Sequence, residues 1–518
     1  VRNCIPANWK PADLVSVAVV TSGQSPPGST YNTIGEGLPF FQGKAEFGDV
    51  SPTPVKWCSA PLRIAHPGDV LISVRAPVGP TNLANIECCI GRGLAAITPL
   101  GGMPSKFYLY YLRHSVENLV RQATGTTFQA ISGKQLRAHE VLVPPLPEQH
   151  RIVEAIESYL TRLDAAVASL ERVQKNLERY RASVLKAAVE GRLVPTEAEL
   201  AKKEGRSYEP ARELLKRILN ERRKKWIEDA AEKARAKAEE KARKVGKYWT
   251  PEYNAKILEK ARKYAEAKYK EPVPSDTTDL PKLPEGWCWA TIAQLASAKP
   301  HSLTDGPFGS NLKTEHYTEA GPRVIRLQNI GDGQFINAEA HISGEHYEQL
   351  KKHATYPGDV VIASLGVELP KACLVPERLG QAIVKADCLR LKPNARLVDR
   401  HYLMHALNSR PIRKRTEALV HGMGRPRIGL TLLRTIPVPL PPHAEQKRIA
   451  NRIDTLLSIT ENMVQLLERQ NLRTARLRQS ILKWAFEGKL VPQDPEDEPA
   501  SALLDRIKAE CSASRRYR

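Results

Sequence analysis

No run of eighteen apolar residues occurs anywhere in this chain, so no segment of it reads as a membrane-spanning helix. The first residues lack the basic-then-apolar pattern of an export signal, and the expectation is a soluble protein without a membrane partner. Cysteine is sparse and scattered. The eight cysteines include no Cys-x-x-Cys pair, and the neighbours Cys88 and Cys89 cannot easily bridge each other. That excludes a readable zinc site and fits a reduced, cytoplasmic protein. Signatures of chemistry are missing too. There is no Gly-x-x-x-x-Gly-Lys-Ser/Thr loop for nucleotide phosphates. There is also no Gly-x-Ser-x-Gly elbow and no His-Glu-x-x-His pair. Nor is there an Asn/Asp-Pro-Pro-Tyr/Phe segment of the kind that holds a flipped base for amino-methylation. Gly35-Glu-Gly37, Gly91-Arg-Gly93, Gly331-Asp-Gly333 and Gly422-Met-Gly424 lack a third glycine or the flanking strand and helix, and read as turns. Asp69 and Asp359 lie in Pro-Gly-Asp turns entering strands, a structural setting. No active site, metal site or cofactor site is readable.

What is present begins with charge. The chain has 518 residues, long enough for about three domains. Its formal charge of +21 points to a polyanionic partner, most commonly nucleic acid. The second positive feature is a repeat. Gln149 to Pro195 aligns without a gap with Gln446 to Pro492, at a constant offset of 297 residues. Ser183-Val-Leu-Lys-Ala-Ala-Val-Glu-Gly-Arg-Leu-Val-Pro195 and Ser480-Ile-Leu-Lys-Trp-Ala-Phe-Glu-Gly-Lys-Leu-Val-Pro492 share nine of thirteen residues. This period is too long for a solenoid unit, so the molecule is built as two halves. Two such halves suit a pair of partners or a bipartite ligand.

Each half has the same plan. Up to about Pro147, β-rich runs (Val15 to Val20, Val70 to Val74, Val141 to Val143) alternate with Gly/Pro turns, and Lys106 to Gln122 has helical spacing. Ile152, Ile156, Leu163, Val167, Leu170, Leu177 and Val184 then mark a long helix from about Pro147 to Glu190. Gly191 is placed as its C-cap, and Pro195 forbids continuation. About forty helical residues span roughly 60 Å, and a seam of this type calls for a second helix. The second half supplies one from Ala444 to Glu487, with Ile449, Ile453, Leu456, Val464, Leu467 and Ile481 on its seam and Gly488 and Pro492 at its end. Leaving similar domains in the same sense, the two helices are expected to pair antiparallel, with Gln174 and Asn471 as polar seam positions that fix register. Leu283-Pro-Glu-Gly-Trp287 echoes Ile5-Pro-Ala-Asn-Trp9, and Pro357-Gly-Asp-Val360 echoes Pro67-Gly-Asp-Val70. Between the halves, residues 196–275 hold 23 Lys/Arg against 15 Asp/Glu in an Ala-rich helical insert. Clusters there such as Arg222-Arg-Lys-Lys225 read as a solvated helix face rather than as a phosphate site. Glu209 to Ile218, which opens the insert, matches Glu498 to Ile507 in the tail.

Certain segments carry a family resemblance. They are Pro67-Gly-Asp-Val-Leu-Ile-Ser-Val-Arg-Ala-Pro-Val-Gly79 with Ile90-Gly-Arg-Gly93, Pro144-Pro-Leu-Pro-Glu-Gln-His-Arg-Ile152, and the two Glu-Gly-Arg/Lys-Leu-Val-Pro helix ends. In the second half they are Asp305-Gly-Pro-Phe-Gly-Ser-Asn-Leu312 and Pro439-Leu-Pro-Pro with Glu445-Gln-Lys-Arg-Ile449. In their order, over nearly the whole chain, these resemble the specificity subunits of type I restriction-modification enzymes. The second half departs in having Ala363-Ser-Leu-Gly-Val where the first has Ser73-Val-Arg-Ala-Pro, and in lacking a Gly-Arg-Gly.

The resemblance implies an α+β protein with two similar mixed α/β target-recognition domains. Two long helices separate them and pair as an antiparallel coiled coil about a pseudo-twofold. The corresponding boundaries are 1–147 and 283–442 for the recognition domains and 148–195 and 443–492 for the spacer helices. The insert and linker occupy 196–282, and the helical tail 493–518. The implied role is non-catalytic: the chain reads a bipartite, gapped site in double-stranded DNA. Two methyltransferase subunits would carry S-adenosylmethionine and methylate adenine N6. Restriction subunits, a motor-nuclease, would use ATP and Mg2+. An alternative keeps the fold but serves a stand-alone methyltransferase or another phage-defence complex.

Candidate DNA contacts follow from loop chemistry. Arg75 and Arg92 lie in Gly/Pro turns beside strands, where arginine can pair with a guanine edge. Thr126, Thr127, Gln129 and Lys134 belong to a polar loop whose second-half counterpart offers Arg425 and Arg427. Lys44, Asn311, Lys313, Arg326, Gln328 and Asn329 complete the set, Gln and Asn being suited to adenine.

Overall fold

The computed structural model describes residues 5–123, 130–246, 248–395, 398–420 and 426–516. Two compact units divide the chain: Val1–Val173 with Leu466–Arg518, and Gln174–Gln465. Each unit therefore draws on both halves of the sequence.

In the first unit, strand Lys10–Asp13 pairs antiparallel with Glu140–Val143 and ties the start of the domain to its end. A four-stranded antiparallel sheet runs in the order Ala18–Ser22, Leu94–Pro99, Val70–Ser73, Thr81–Leu83. Its central strand is apolar at consecutive positions because both faces are covered. Side chains alternate across a strand, so Val70 and Ile72 enter one core with Phe107 and Tyr108, while Leu71 enters another with Phe41 and Ala65. A second sheet of five short strands contains one parallel pair, Leu38–Phe41 with Cys88–Ile90.

The second unit has the same plan. Cys288–Thr291 pairs with Pro437–Leu440. The four-stranded sheet runs Leu303–Asp305, Cys388–Leu391, Val360–Ala363, Lys371–Leu374. The other sheet again has one parallel pair, Tyr317–Ile325 with Ala382–Val384.

Two local expectations are corrected. The run from Val15 begins as a helical turn, Leu14–Val17, and only Ala18–Ser22 is strand; Leu14 and Val17, three apart, both face the core. The helix expected from Lys106 to Gln122 is broken into Ser105–His114 and Val116–Gln122. Between them Ser115 is buried, and its hydroxyl bonds His139 Nε2 at 3.0 Å.

The two long helices are Leu146–Val189 and His443–Phe486, 44 residues each. Both end as the sequence dictates, with Gly191 and Gly488 at φ +69, a left-handed conformation that suits glycine. A Cβ on Gly191 would overlap Pro284, and one on Gly488 would overlap Pro6. Each helix end is thus seated on the opening of the other half's domain. Val184, Leu185, Ala188 and Val189 join the core of the second domain, together with Ala211, Leu214 and Ile218. Ile481, Ala485 and Phe486 join the core of the first, with Ala500, Leu503 and Ile507. Those last triplets are the ones matched between insert and tail. Toward mid-helix burial falls off: Leu163, Val167, Leu170 and Leu177 are half-buried, and Gln174 and Asn471, expected as polar seam positions, are exposed. In the first unit Arg478 donates to Asp164 on the other long helix.

The insert forms a helical hairpin, Ala211–Lys244 and Pro251–Lys268, after a short helix Glu197–Glu204. No helix of the described residues is long and apolar enough to cross a membrane. Burial pushes the Cys88, Cys373 and Cys388 thiols up to about 12, so these cysteines are packed as protonated apolar groups.

Candidate nucleic-acid interface

In each unit three chain segments converge where the central strand of the four-stranded sheet ends. In the first, Val74 N donates to Gly93 O at 2.9 Å and Val74 O accepts from Ile131 N at 2.9 Å. Arg75 then bridges Ala130. In the second, Ser364 N donates to Asp387 O at 3.0 Å, Ile428 N donates to Ser364 O at 2.7 Å, and Leu365 bridges Arg427. The backbone frame is the same and the side chains on it are not. Arg75, Arg92 and Lys134 are exposed, one on each segment of the first junction. At the second junction the arginine has moved across the bridge. Leu365 takes the place of Arg75, and Arg427 stands opposite it, 3.3 Å from Asp387 and over the Phe308 ring at 5.5 Å. An exposed pair of this kind contributes at most about 1 kcal/mol, so Asp387 restrains Arg427 in orientation more than it occupies it.

Close packing accounts for the Gly-Arg-Gly of the first half. A Cβ on Gly93 would overlap Gln42 O, and one on Gly91 would press on Phe40. The glycine on the facing segment is common to both units: a Cβ on Gly23 would overlap Gly91 O, and one on Gly306 would overlap the backbone of Lys385 and Ala386.

The remaining candidates divide sharply. Lys44, Asn311, Lys313 and Gln328 are exposed. Lys313 lies 3.4 Å from Glu315, and Asn311 Nδ2 donates to Phe308 O. Arg326 is half-buried, and its Nη2 donates to Glu339 O at 2.9 Å. Asn329 is 1% exposed. Its Nδ2 donates to Ile336 O and Ala338 O and its Oδ1 accepts from Arg326 N, each at 2.8 Å. That amide is committed to shaping the loop, so of the run Arg326 to Asn329 only Gln328 faces solvent fully. Thr126, Thr127, Gln129 and Arg425 lie outside the described residues.

The Pro-Gly-Asp aspartates prove structural. Asp69 accepts from His66 N at 2.8 Å and Thr98 Oγ1 at 2.6 Å. Asp359 accepts from Tyr356 N and pairs with buried Arg390 at 3.3 Å; burial pushes its carboxyl up, and Arg390 opposes that.

Sequence reasoning did not find the buried anchor that ties the opening of each domain to its long helix. Trp9 Nε1 donates to Glu148 Oε2 at 3.0 Å, and Trp287 Nε1 donates to Glu445 Oε1 at 3.0 Å. Neither carboxyl has accessible surface. Gln493 Nε2 completes the first site at 2.6 Å and Glu197 N the second at 2.9 Å. Burial pushes Glu148 up, and pushes Glu445 up to about 7. The signal was available, since Trp and Glu-Gln recur at matching places in both halves. The adjacent glutamines differ. Gln446 Oε1 accepts from Asp399 N, whereas buried Gln149 Oε1 has no partner among the described residues. The helix cap corresponding to Asp399 is Pro104, which has no N–H to give.

No cluster of three metal-ligating side chains occurs among the described residues. The chain matches the family profile of the type I restriction modification DNA specificity domain over residues 8–179 and 321–469. A Methanocaldococcus jannaschii protein assigned as the specificity subunit of the type I restriction enzyme MjaX is 36% identical over 192 residues, 36% of this chain and 44% of that one. The type I restriction enzyme EcoDI specificity subunit of Escherichia coli is 21% identical over 520 residues, 98% of this chain and 97% of its own. A crystal structure of the HsdS subunit from Thermoanaerobacter tengcongensis is 50% identical over 33% of this chain and 41% of that one. Its TM-score of 0.29 is too low for the superposition to carry an argument. The chain thus spans less than half the length of the MjaX and HsdS proteins that it matches. With the profile covering more than half of its residues, this chain belongs to the family of type I restriction-modification DNA specificity domains.

Proposed function

We propose that the chain is the specificity subunit of a type I restriction-modification complex and reads a split site in double-stranded DNA, one half-site per unit. The carrying observation is duplication with divergence: one backbone junction occurs twice, with Arg75, Arg92 and Lys134 on the first copy and Arg427 beside Asp387 on the second. A common frame with different donors suits two half-sites of different sequence. Arginine reads guanine edges and Gln or Asn reads adenine, so the base-reading set is Arg75, Arg92, Asn311, Gln328 and Arg427. Lys44, Lys134 and Lys313 hold phosphates, and Arg326 and Asn329 shape the reading loop. The chain directs adenine-N6 methylation and restriction that its partners perform. Two methyltransferase subunits supply S-adenosylmethionine, and restriction subunits use ATP and Mg2+. Exposed Tyr159, Val173 and Tyr180 on the first long helix, with Met463 and Leu466 on the second, are apolar surface for partner subunits to cover.

A single-molecule methylome of the host with and without this gene tests the proposal. Loss of one gapped, two-part adenine-methylation motif is the expected result; an unchanged methylome counts against it. Arg427→Ala relaxes only the second half-site, removing about 1–3 kcal/mol of discrimination at the base it reads. Competition binding against duplexes varied in one half-site checks this, and uniform weakening makes Arg427 a phosphate contact. The long helices, paired antiparallel, set the gap between half-sites. One heptad inserted in both adds about 10 Å, or roughly 3 base pairs of B-DNA, and the methylated motif widens accordingly. An unaltered gap rules out the spacer role.

A further inference from the structure

Ion pairs cross the insert hairpin, Arg223 with Glu266 and Glu228 with Arg262, each at 2.9 Å. The two helices also form a groove of about 570 Å³ with a floor of small residues such as Ala234 and Ala261. Lys233 and Lys237 line it from the first helix, Lys260 and Lys268 from the second, and no carboxylate lines it. All four lysines are exposed, and none has a carboxylate partner among the described residues. Lys268 instead lies 4.5 Å over the Tyr264 ring. Elsewhere on the hairpin, Lys244 and Lys263 sit on Glu240 and Glu259 at 2.7 and 2.8 Å. Like charges facing one another across a groove repel, and an external anion relieves that repulsion.

The groove does not end at the hairpin. Trp226, Ala230, Lys233 and Lys268 also line a second cavity of about 870 Å³ at the hairpin base. Lys270, Lys299 and Arg434 extend the basic lining there, against Asp229 and Glu271. Arg434 stands on the short helix Leu430–Thr435, which follows Arg427 in the chain. A basic track therefore runs from the hairpin to the recognition domain of the same unit. Lys233 and Lys237 are one helical turn apart, about 6 Å along the axis, a spacing comparable to that of successive phosphates on one strand. A continuous track of cations fits a continuous polyanion better than it fits a short acidic peptide.

We propose that this face is a second, sequence-independent DNA-binding surface, which holds the phosphates of duplex DNA flanking the half-site read by the second domain. It rests on the reading of the chain as a DNA-binding specificity subunit. The test measures binding of the full-length chain to a duplex of about 40 base pairs of arbitrary sequence, as a function of salt. Each phosphate contact contributes about 0.9 to the slope of log K against log salt. Changing Lys233, Lys237, Lys260 and Lys268 together to Gln lowers that slope by about 3 to 4. The loss of affinity between 50 and 200 mM salt then shrinks roughly 100-fold. Changing the ion-paired Lys244 and Lys263, with Lys216, which lies 2.7 Å from Glu213, to Gln leaves the slope in place. The methylated motif in cells stays the same in both variants, because no base contact is removed. An unchanged slope in the fourfold variant overturns the proposal, and so does an equal fall in the ion-paired control. A groove that takes an acidic helix of a partner protein gives an unchanged slope with the partner absent from the complex, which also overturns it. Failure of the specificity reading shows separately, as a wild-type chain without any methylated motif.

Discussion

Exchanging residues 284–441 for the corresponding segment of another family member changes one half of the split target and leaves the other half as it was. This is the largest effect expected of any change to the chain, a complete replacement of one half-site. The physical basis is that the junction bearing Arg427, with Asn311 and Gln328, is contained within that segment, whereas Arg75, Arg92 and Lys134 belong to the other unit. The exchange has a packing condition. The segment is not a self-contained core: it closes over Val184, Leu185, Ala188 and Val189 of the first long helix and over Ala211, Leu214 and Ile218 of the insert. An incoming segment must accept those side chains. It must also present a Trp at position 287, since Glu445 lies outside the exchanged residues and is buried against it. Sequencing of the methylated motif after exchange decides the matter. A change in both half-sites would show that the two units do not read independently.

Glu445→Ala destabilises the second unit heavily while sparing the first. The substitution leaves Trp287 Nε1 and Glu197 N, both on buried residues, without acceptors. Each buried donor left unpaired costs about 1–3 kcal/mol. Glu148→Ala strands Trp9 Nε1 in the first unit with a smaller loss, because Gln493 is exposed and its amide turns to solvent. Protection of backbone amides from hydrogen exchange, resolved by unit, reads both variants. Loss of protection spread evenly over the two units would contradict this assignment. A pH dependence accompanies it. Burial raises Glu445 from an ordinary 4.5 to about 7. Between those values the folded state holds a proton that the unfolded chain has released, so stability falls as pH rises through this window. The contribution is on the order of 2–3 kcal/mol, and the second unit is therefore weaker at pH 8 than at pH 5. Glu445→Gln keeps the shape, forgoes one of the two acceptors, and flattens the dependence. A slope unaltered by that substitution would assign the titration to another group.

Much of the architecture was legible because it is written in local rules. A glycine is needed wherever a helix ends in a left-handed residue, and both long helices end at one, Gly191 and Gly488. Ile152, Ile156, Ile449 and Ile453 are buried as apolar residues at helical spacing should be, but in the core of the domain that each helix leaves. The match between insert and tail is met by equivalent packing, Ala211, Leu214 and Ile218 in one core and Ala500, Leu503 and Ile507 in the other, although the insert helix runs on for 34 residues and the tail helix for 17. The candidate binding residues were less legible. Gln328 and Asn329 are neighbours of similar chemistry, yet one is exposed and the other is consumed by three hydrogen bonds. Which of them turns inward depends on the carbonyls of Ile336 and Ala338, seven and nine residues away from Asn329. The break at Ser115 depends likewise on His139.

By itself the sequence determined that this protein is double, basic and without readable catalytic chemistry, since repetition, net charge and missing motifs require no coordinates. Helix length and termination belong to the same class, being set by propensities and φ preferences within a few residues. Tertiary structure alone decided that each unit takes a helix end from the other half, that the arginine changes sides between the two junctions, and that the insert gathers in one groove four lysines without a carboxylate partner among the described residues. Those outcomes depend on contacts between residues far apart in the chain. Periodicity defines the faces of a single helix; only packing against a neighbour selects which face is closed and which is left open to bind.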